Sequence, residues 1–367
     1  MVTGLYIHIP FCKQKCNYCD FASFAGREIL INDYLNALEK EASLACSTSC
    51  QTLYVGGGTP SLLSVEQLQK LVQVIEKNFE EIPSFQESTL EANPESLSRE
   101  KIAFLRQAGF NRLSLGLQSF NDTELKTLGR IHTVADFLQA WDTLQDEGIE
   151  NVNVDLMAGL PGQTLTSFAD GLEQVIRLKP NHLSVYGLQV EEGTPFFERG
   201  LLCDQLLMRQ MLEHARARLT TAGYHHYEIS NFARPGYESK HNMQYWQYAD
   251  YVGLGSAAVS YLNGVRCQNT PDVQEYIRLV RTGNSPVVFN ESLSGQALEG
   301  EKLMLGLRQL DGVTLTPLQQ QFFGHEIEKH IQKGLLVQED KKVKLSEEGI
   351  YLANEVFYSF VAPFEEI

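Results

Sequence analysis

Three cysteines in the stretch CKQKCNYC, Cys12, Cys16 and Cys19, follow directly on the strand-like run GLYIHIP. Thiolates are soft ligands that suit iron–sulfur clusters or zinc. Three is an odd number for disulfides and one short of a closed zinc site, whose fourth Cys or His is expected at finger-like spacing. A 4Fe-4S cubane held by C-x3-C-x2-C takes three ligands from one loop and leaves its fourth iron open to an exogenous ligand. His8 precedes the loop, within the strand, and nothing after Cys19 fits as a fourth ligand. Cys46 and Cys50 are candidates by residue type, but they fall near the end of the following helix, at the opposite edge of a sheet. Three unrelated buried thiols would leave the spacing and its strand-end position unexplained.

The next strand-like runs also end in groups able to do chemistry. QTLYVGGG delivers Gly56, Gly57, Gly58 and Thr59; STLEANP delivers Glu91 and Asn93. RLSLGLQ ends at Gln118, with Arg130 twelve residues on, and Asp155 interrupts the apolar NVNVDLMAGL. Any one of these has a bland reading, such as a tight turn or a helix cap. Five consecutive strand ends of this kind point to one site, because loops at the C-terminal edge of parallel strands converge on one face.

The elements that must position these residues are legible up to residue 200. The strand runs above, with HLSVYGLQ as a sixth, are bounded by Gly, Pro or Asn. They alternate with helical patterns such as INDYLNALEKEASLA, SVEQLQKLVQVIEKNF and SREKIAFLRQAGF, whose apolar residues recur at three- and four-residue spacing. Short β/α units imply a parallel sheet, either an open doubly wound sheet or a full or partial barrel. Residues 201–285 form a flanking segment that opens with the long helix DQLLMRQMLEHARARLTTAGY. Residues 286–367 read as a separate tail of two helices, a strand–turn–strand GLLVQEDKKVKLS and a final helix, an order that resembles a winged helix.

Composition limits the partners. The 367 residues are 43% hydrophobic, enough for a large core, and carry 30 basic against 46 acidic side chains, a net charge of −16. Such a surface repels phosphate backbones and anionic lipid, so no nucleic-acid partner is expected. The tail from Ser285 carries 7 basic and 13 acidic residues, which argues for packing on the main domain rather than for DNA binding. GLYIHIP is too short for a signal-peptide core, and no apolar stretch approaches the ~18–20 residues of a membrane span. A cytoplasmic location is expected, where clustered cysteines serve metal or catalysis rather than disulfides.

These features resemble the radical S-adenosylmethionine (SAM) superfamily over residues 1–260. In that superfamily the open iron is chelated by the amino and carboxylate groups of SAM, and the reduced cluster cleaves SAM to a 5′-deoxyadenosyl radical. YIHIPFC, GGGTP, GFNRLSLGLQSFND, DLMAGLPGQ and HLSVYGLQ are similar to the HemN/HemW group within it, and the tail is similar to that group's C-terminal domain. The resemblance implies a partial (β/α)6 TIM-like barrel with a smaller, winged-helix-like C-terminal α/β domain. It carries SAM contacts over to Tyr6, Gly57, Gly58, Thr59, Glu91, Gln118, Arg130 and Asp155. The residue types fit. Glycines admit close backbone approach, Glu91 and Asp155 suit ribose hydroxyls or the cationic groups, and Arg130 matches a carboxylate. Tyr18, before the third cysteine, can face the adenine.

Two branches of the group differ in class. One is a dehydrogenase that oxidatively decarboxylates coproporphyrinogen III; the other consists of heme chaperones. The dehydrogenase pattern has a further cysteine two residues after the third, where this sequence has Phe21. It also has an N-terminal extension of tens of residues, whereas this sequence opens at its first strand. HNMQYW, residues 241–246, matches the H-N-x-x-Y-W motif of the HemW branch. The resemblance therefore implies a heme chaperone with His241, Asn242, Tyr245 and Trp246 as heme-binding candidates, and a radical enzyme as the alternative. An imidazole can ligate heme iron and aromatics can cover a porphyrin. The bland reading is a satisfied histidine among core aromatics. His225 and His226 compete as ligands; Cys203 and Cys267 read as plain thiols. The resemblance also implies heme, acceptor hemoproteins, including membrane-associated respiratory ones, and a homodimer.

Overall fold

The computed structural model describes residues 4–45 and 49–361. Cys46 lies outside the described residues. Six strands alternate with helices: β1 Gly4–Ile9, β2 Thr52–Gly57, β3 Glu87–Ala92, β4 Arg112–Gln118, β5 Val152–Ala158 and β6 His182–Gly187. The first five crossovers carry α1 Ile31–Leu44, α2 Val65–Asn78, α3 Arg99–Ala108, α4 Asp122–Leu128 with α5 Val134–Asp146, and α6 Leu165–Leu178. After β6 come α7 Gln205–Thr221, the hairpin β7 His225–Glu228 and β8 Asn231–Ala233, α8 Lys240–Trp246, and β9 Tyr251–Leu254. β10 Val259–Leu262, β11 Val265–Asn269, α9 Val273–Arg281 and β12 Val287–Glu291 complete the main domain. All twelve strands join one sheet in the order β12-β11-β10-β9-β1-β2-β3-β4-β5-β6-β8-β7.

β1 to β6 are parallel in sequence order, as the β/α alternation requires. β9 adds a seventh parallel strand beside β1. That strand comes from the segment expected only to flank the barrel. The fold is the partial TIM-like barrel rather than a flat doubly wound sheet: the inward residues of β2 to β6 line one cavity, and Glu91 of β3 and Asp155 of β5, two strands apart, interact across it.

Strand alternation separates two environments. On β4, Leu113, Leu115 and Leu117 enter the core under the helices, while Arg112, Ser114, Gly116 and Gln118 face the lumen. On β5, Val152, Val154 and Leu156 face out, and Asn153, Asp155 and Met157 face in. Val55 and Leu53 of β2 and Leu5, Ile7 and Ile9 of β1 follow the same rule. The outward set makes the apolar core; the inward set makes a polar lumen. Helix ends follow their local chemistry: Ser64, Thr133 and Thr164 form capping boxes, and Gly109, at φ +97°, ends α3 in the left-handed conformation expected of its Ala-Gly terminus.

The C-terminal domain has its own core around Leu303, Phe323, Ile327, Val343 and Phe360. It comprises α10 Gly295–Gly306, α11 Pro317–Gln332, the strands β13 Val313–Thr314, β14 Leu336–Glu339 and β15 Lys342–Leu345, and α12 Glu347–Tyr351 with α13 Ala353–Tyr358. Two details differ from the sequence reading. The final helix is broken at Leu352, whose ψ of 24° departs from helical geometry. Residues 287–291, assigned to the tail, instead pair with β11 as the edge strand of the main sheet.

Candidate functional site

The three cysteines stand on the loop after β1 and open into one cavity of about 840 Å³, within the ~300–1,000 Å³ usual for small-molecule sites. All three thiols are free. The loop is held from below and from the side. His8 ties the loop to β1: Nε2 pairs with the loop's Ala22 carbonyl at 2.8 Å, and Nδ1 pairs with the hydroxyl of Tyr6 on β1 at 2.9 Å. The Asn17 amide donates to the Leu128 carbonyl at 2.9 Å, and its side chain donates to the Thr127 carbonyl at 2.9 Å. Each sulfur has a polar neighbour: Thr59 hydroxyl at 3.5 Å from Cys12, Arg130 Nη1 at 3.6 Å from Cys16, and Ser23 hydroxyl at 3.8 Å from Cys19. Burial pushes the Cys12 and Cys19 thiols up. Bound iron would reverse that, since a coordinating thiol is deprotonated.

The glycines beside the thiols are there for space. Gly57 has φ +112°, and a Cβ would lie 2.5 Å from the His8 ring; at Gly58 it would lie 2.7 Å from the Phe11 carbonyl oxygen. Gln118 holds φ +71° at a bulge between β4 and β5, a strained non-glycine residue at the cavity wall. Glu91 accepts from the Tyr54 hydroxyl at 2.7 Å and the Gly57 amide at 3.0 Å, and burial raises its pKa to about 6. Asp155 accepts from Asn153 at 2.8 Å and is likewise raised by burial. Arg130 donates through Nη2 to Asn93 Oδ1 and the Gly116 carbonyl, both at 2.6 Å, bridging two strand ends.

Thus Cys12, Cys16, Cys19, Tyr18, Gly57, Gly58, Thr59, Glu91, Gln118, Arg130 and Asp155 face one cavity. Tyr6 does not line it; its ring lies deeper, 6.2 Å from that of Tyr54. Phe21 is 65% exposed at the rim. Asn93 also lines the cavity, as its strand-end position implied, and so does Ser114, which was not singled out in the sequence. Ser114 was readable as an inward position of β4. Cys50 is buried just before β2, at the other end of the barrel from the thiols.

The HNMQYW residues lie at that other end. Their helix, α8, caps the N-terminal ends of the strands. Glu87, the first residue of β3, accepts from the Ser239 hydroxyl and the Lys240 and His241 amides at 2.9–3.3 Å. His241 is 1% exposed, with Nδ1 on the Thr52 hydroxyl and Nε2 on the Tyr245 hydroxyl, each at 2.8 Å, and its ring stacks on Tyr54 at 5.2 Å. Burial lowers its pKa to about 3. The Tyr245 ring meets Tyr251 edge-on at 4.7 Å. Asn242 is half-buried, and Trp246 lies under the Arg308 guanidinium at 4.4 Å, against the C-terminal domain. In this conformation neither His241 nitrogen is free for a metal.

Similarity to known proteins follows the same division. The Radical SAM superfamily model matches residues 6–175 and the HemN C-terminal domain model residues 295–352. The heme chaperone HemW of Bacillus subtilis (strain 168) is 37% identical over 372 residues, covering 97% of this chain and 98% of that protein. The chain belongs to the HemW family. The HemW of Escherichia coli (strain K12) is 41% identical over 261 residues, 70% of this chain and 69% of its own. Among solved structures, coproporphyrinogen III oxidase (HemN) from Escherichia coli, described as a radical SAM enzyme, superposes with a TM-score of 0.86 at 24% identity, covering 98% of this chain and 90% of that one. That likeness establishes the radical SAM/HemN fold. A radical SAM domain implies a 4Fe-4S cluster and SAM, and the three free thiols, the glycine cradle and the two buried carboxylates are residues of the kind these groups require. Among the described residues, no helix is long and apolar enough to cross a membrane.

Proposed function

We propose that this protein is a heme chaperone, binding heme and passing it to acceptor hemoproteins. The observation that carries the reading is kinship with HemW proteins over nearly the whole of both chains. Phe21, in place of a further cysteine, supports it over the coproporphyrinogen dehydrogenase alternative. We further read the protein as cytoplasmic and homodimeric, with membrane-associated hemoproteins among its acceptors.

Cys12, Cys16 and Cys19 would hold the cluster, and Tyr18, Gly57, Gly58, Thr59, Glu91, Gln118, Arg130 and Asp155, with Tyr6 behind them, would form the SAM site. When bound, the cluster and SAM supply a one-electron couple and a source of an alkyl radical. Thr59 and Arg130 donate toward Cys12 and Cys16 and so stabilise their thiolates. Glu91, held by Tyr54 and Gly57, offers a fixed carboxylate to a cation in the cavity. His8 and Asn17 fix the loop so that the thiols keep their spacing.

The test is a hemin titration of the anaerobically reconstituted protein, followed by mixing with an apo-hemoprotein. Near-stoichiometric uptake and transfer are expected. SAM cleavage coupled to coproporphyrinogen III decarboxylation, without hemin uptake, would replace this reading with the enzyme one.

A further inference from the structure

Unsatisfied buried polarity is unevenly spread through the protein. Five side-chain atoms that are shut off from solvent and lack a hydrogen-bond partner gather where the β7–β8 hairpin and α8 meet the C-terminal domain: His226 Nδ1, Glu228 Oε2, Asn231 Oδ1, Trp246 Nε1 and Arg308 Nε. They form one neighbourhood. Arg308 sits 4.4 Å over Trp246 and 3.9 Å from Glu228, and the Ile229 amide donates to the Arg308 carbonyl at 3.2 Å. Each such atom forfeits the hydration it had in the unfolded chain, so a concentration of them calls for a physical reason.

Two of them, on His226 and Arg308, belong to residues that line the cavity at the end away from the thiols. That end is also walled by Arg216, Met208, Leu212 and Ile350. The His226 ring lies flat on Phe232, centroids 4.0 Å apart and planes 13° apart. Its Nε2 faces the Ile229 carbonyl at 3.1 Å, which only a protonated Nε2 can satisfy. Nδ1 therefore keeps its lone pair. Burial lowers the ring's pKa to about 4, which keeps it neutral near pH 7. A neutral imidazole fixed by a carbonyl at one nitrogen and bare at the other is the form in which histidine binds metal. Around it stand an apolar wall and two guanidinium groups, whose present partners are Glu347 for Arg216, at 3.1 Å, and Glu228 for Arg308, at 3.9 Å; a flat apolar molecule carrying carboxylates would exchange one carboxylate partner for another there.

We propose that this end of the cavity, between the β7–β8 hairpin, α7 and the C-terminal domain, is the heme site, with His226 Nδ1 as axial ligand and Arg216 and Arg308 pairing with the propionates. The proposal rests on the heme reading above and adds the place and the ligand. It also explains why the C-terminal domain is packed against the barrel: it supplies Arg308 and one wall. His241 would have to break two buried hydrogen bonds to reach iron; His226 Nδ1 is covered as well, so the hairpin or the C-terminal domain must shift to uncover it, but it has no hydrogen bond to break.

The test is hemin titration of the full-length protein, read by the Soret band and by the spin state of the ferric complex. His226→Gly should weaken binding by roughly tenfold or more, the least that losing a metal-site group costs, and alter the spin state. Added imidazole should restore the wild-type spectrum in His226→Gly, a rescue that a merely structural role would not give. His241→Ala should keep the wild-type Soret position. If wild type binds hemin and His226→Gly binds it with the same affinity and spectrum, His226 is not the ligand and the heme reading stands without it. If wild type takes up no hemin, the functional reading itself fails. Should His226→Gly not fold, as judged by circular dichroism, His226→Leu, whose side chain cannot ligate iron, serves instead; unchanged spin state and affinity there would overturn the proposal.

Discussion

The same strands begin at a floor whose polar groups face one another and end at a mouth whose polar groups face open space. At the floor, Thr52, Glu87, His241 and Tyr245 leave each other no free hydrogen-bonding partner in the network they share. At the mouth, Cys12, Cys16, Glu91 and Asp155 have protein neighbours but also line a cavity. Both ends contain a histidine beside aromatic rings, buried at the floor and half-buried at the mouth, and residue type alone does not separate them. His241 has both nitrogens occupied; His226, at the far end of the mouth cavity, has one. A satisfied polar network stabilises a fold, and an unsatisfied one marks where a ligand completes it.

Replacing Cys12, Cys16 and Cys19 together by Ser should have the largest effect on chemistry and little on the fold. The expected outcome is no cluster absorbance and no bound iron after anaerobic reconstitution, with an unchanged thermal midpoint. Retained cluster absorbance would mean that the thiols are not the ligands. The same variant tests whether the cluster governs assembly or release: normal oligomerisation and heme delivery would remove that role. At the floor the balance should invert. Glu87→Ala leaves three donors at the start of α8 without their acceptor, two of them buried, a loss of about 2–3 kcal/mol visible in denaturant unfolding. Cluster content should hold. If Glu87→Ala were as stable as wild type, the floor would not be the closed network described.

Much of the mouth is legible in the sequence because its residues sit at the ends of buried strands, and buried parallel strands are bounded apolar runs. β4 occupies the predicted residues 112–118, and its polar inward face follows from alternation. The cysteine spacing marks a loop site without reference to the rest of the chain. The floor is not legible in this way. α8 has seven residues, too few to show a helical period, and its position depends on contacts such as Thr52 with His241, 189 residues apart. β9 has only four residues, in a polar-aromatic stretch. β12 is an exposed edge, where Val287, Val288 and Phe289 cover nothing, so no burial pattern marks it. The far end of the cavity is assembled from the hairpin, α7 and the C-terminal domain, and no single segment announces it.

The pH response offers an intermediate test of the mouth. Burial holds Glu91 at about 6 against its ordinary 4.5. Between those values the folded protein keeps a proton that the unfolded chain has released. Stability without ligand should therefore fall as pH rises through this window, by about 2 kcal/mol once Glu91 is fully ionised. Binding of cationic SAM should run the other way, weakening as pH drops below about 6. Thermal melts and calorimetric SAM titrations across the window check both. Glu91→Gln should flatten the two profiles; an unaltered SAM profile in that variant would take Glu91 out of the recognition site.

Tyr245→Phe is the smallest change and the sharpest test of whether the two ends are independent. It removes the hydroxyl that pairs with His241 Nε2 and leaves the ring, with its edge-on contact to Tyr251, in place. The cost should be about 1 kcal/mol, that of leaving one buried nitrogen unpaired. Freed of Tyr245, His241 Nε2 gains the bare lone pair that His226 Nδ1 already has, but it stays sealed in the floor with no cavity beside it. Hemin affinity should therefore equal wild type. An increase in affinity, with a change in the Soret band that His241→Ala abolishes, would mean that α8 opens to heme and that the floor is a second binding surface held shut by this one hydrogen bond.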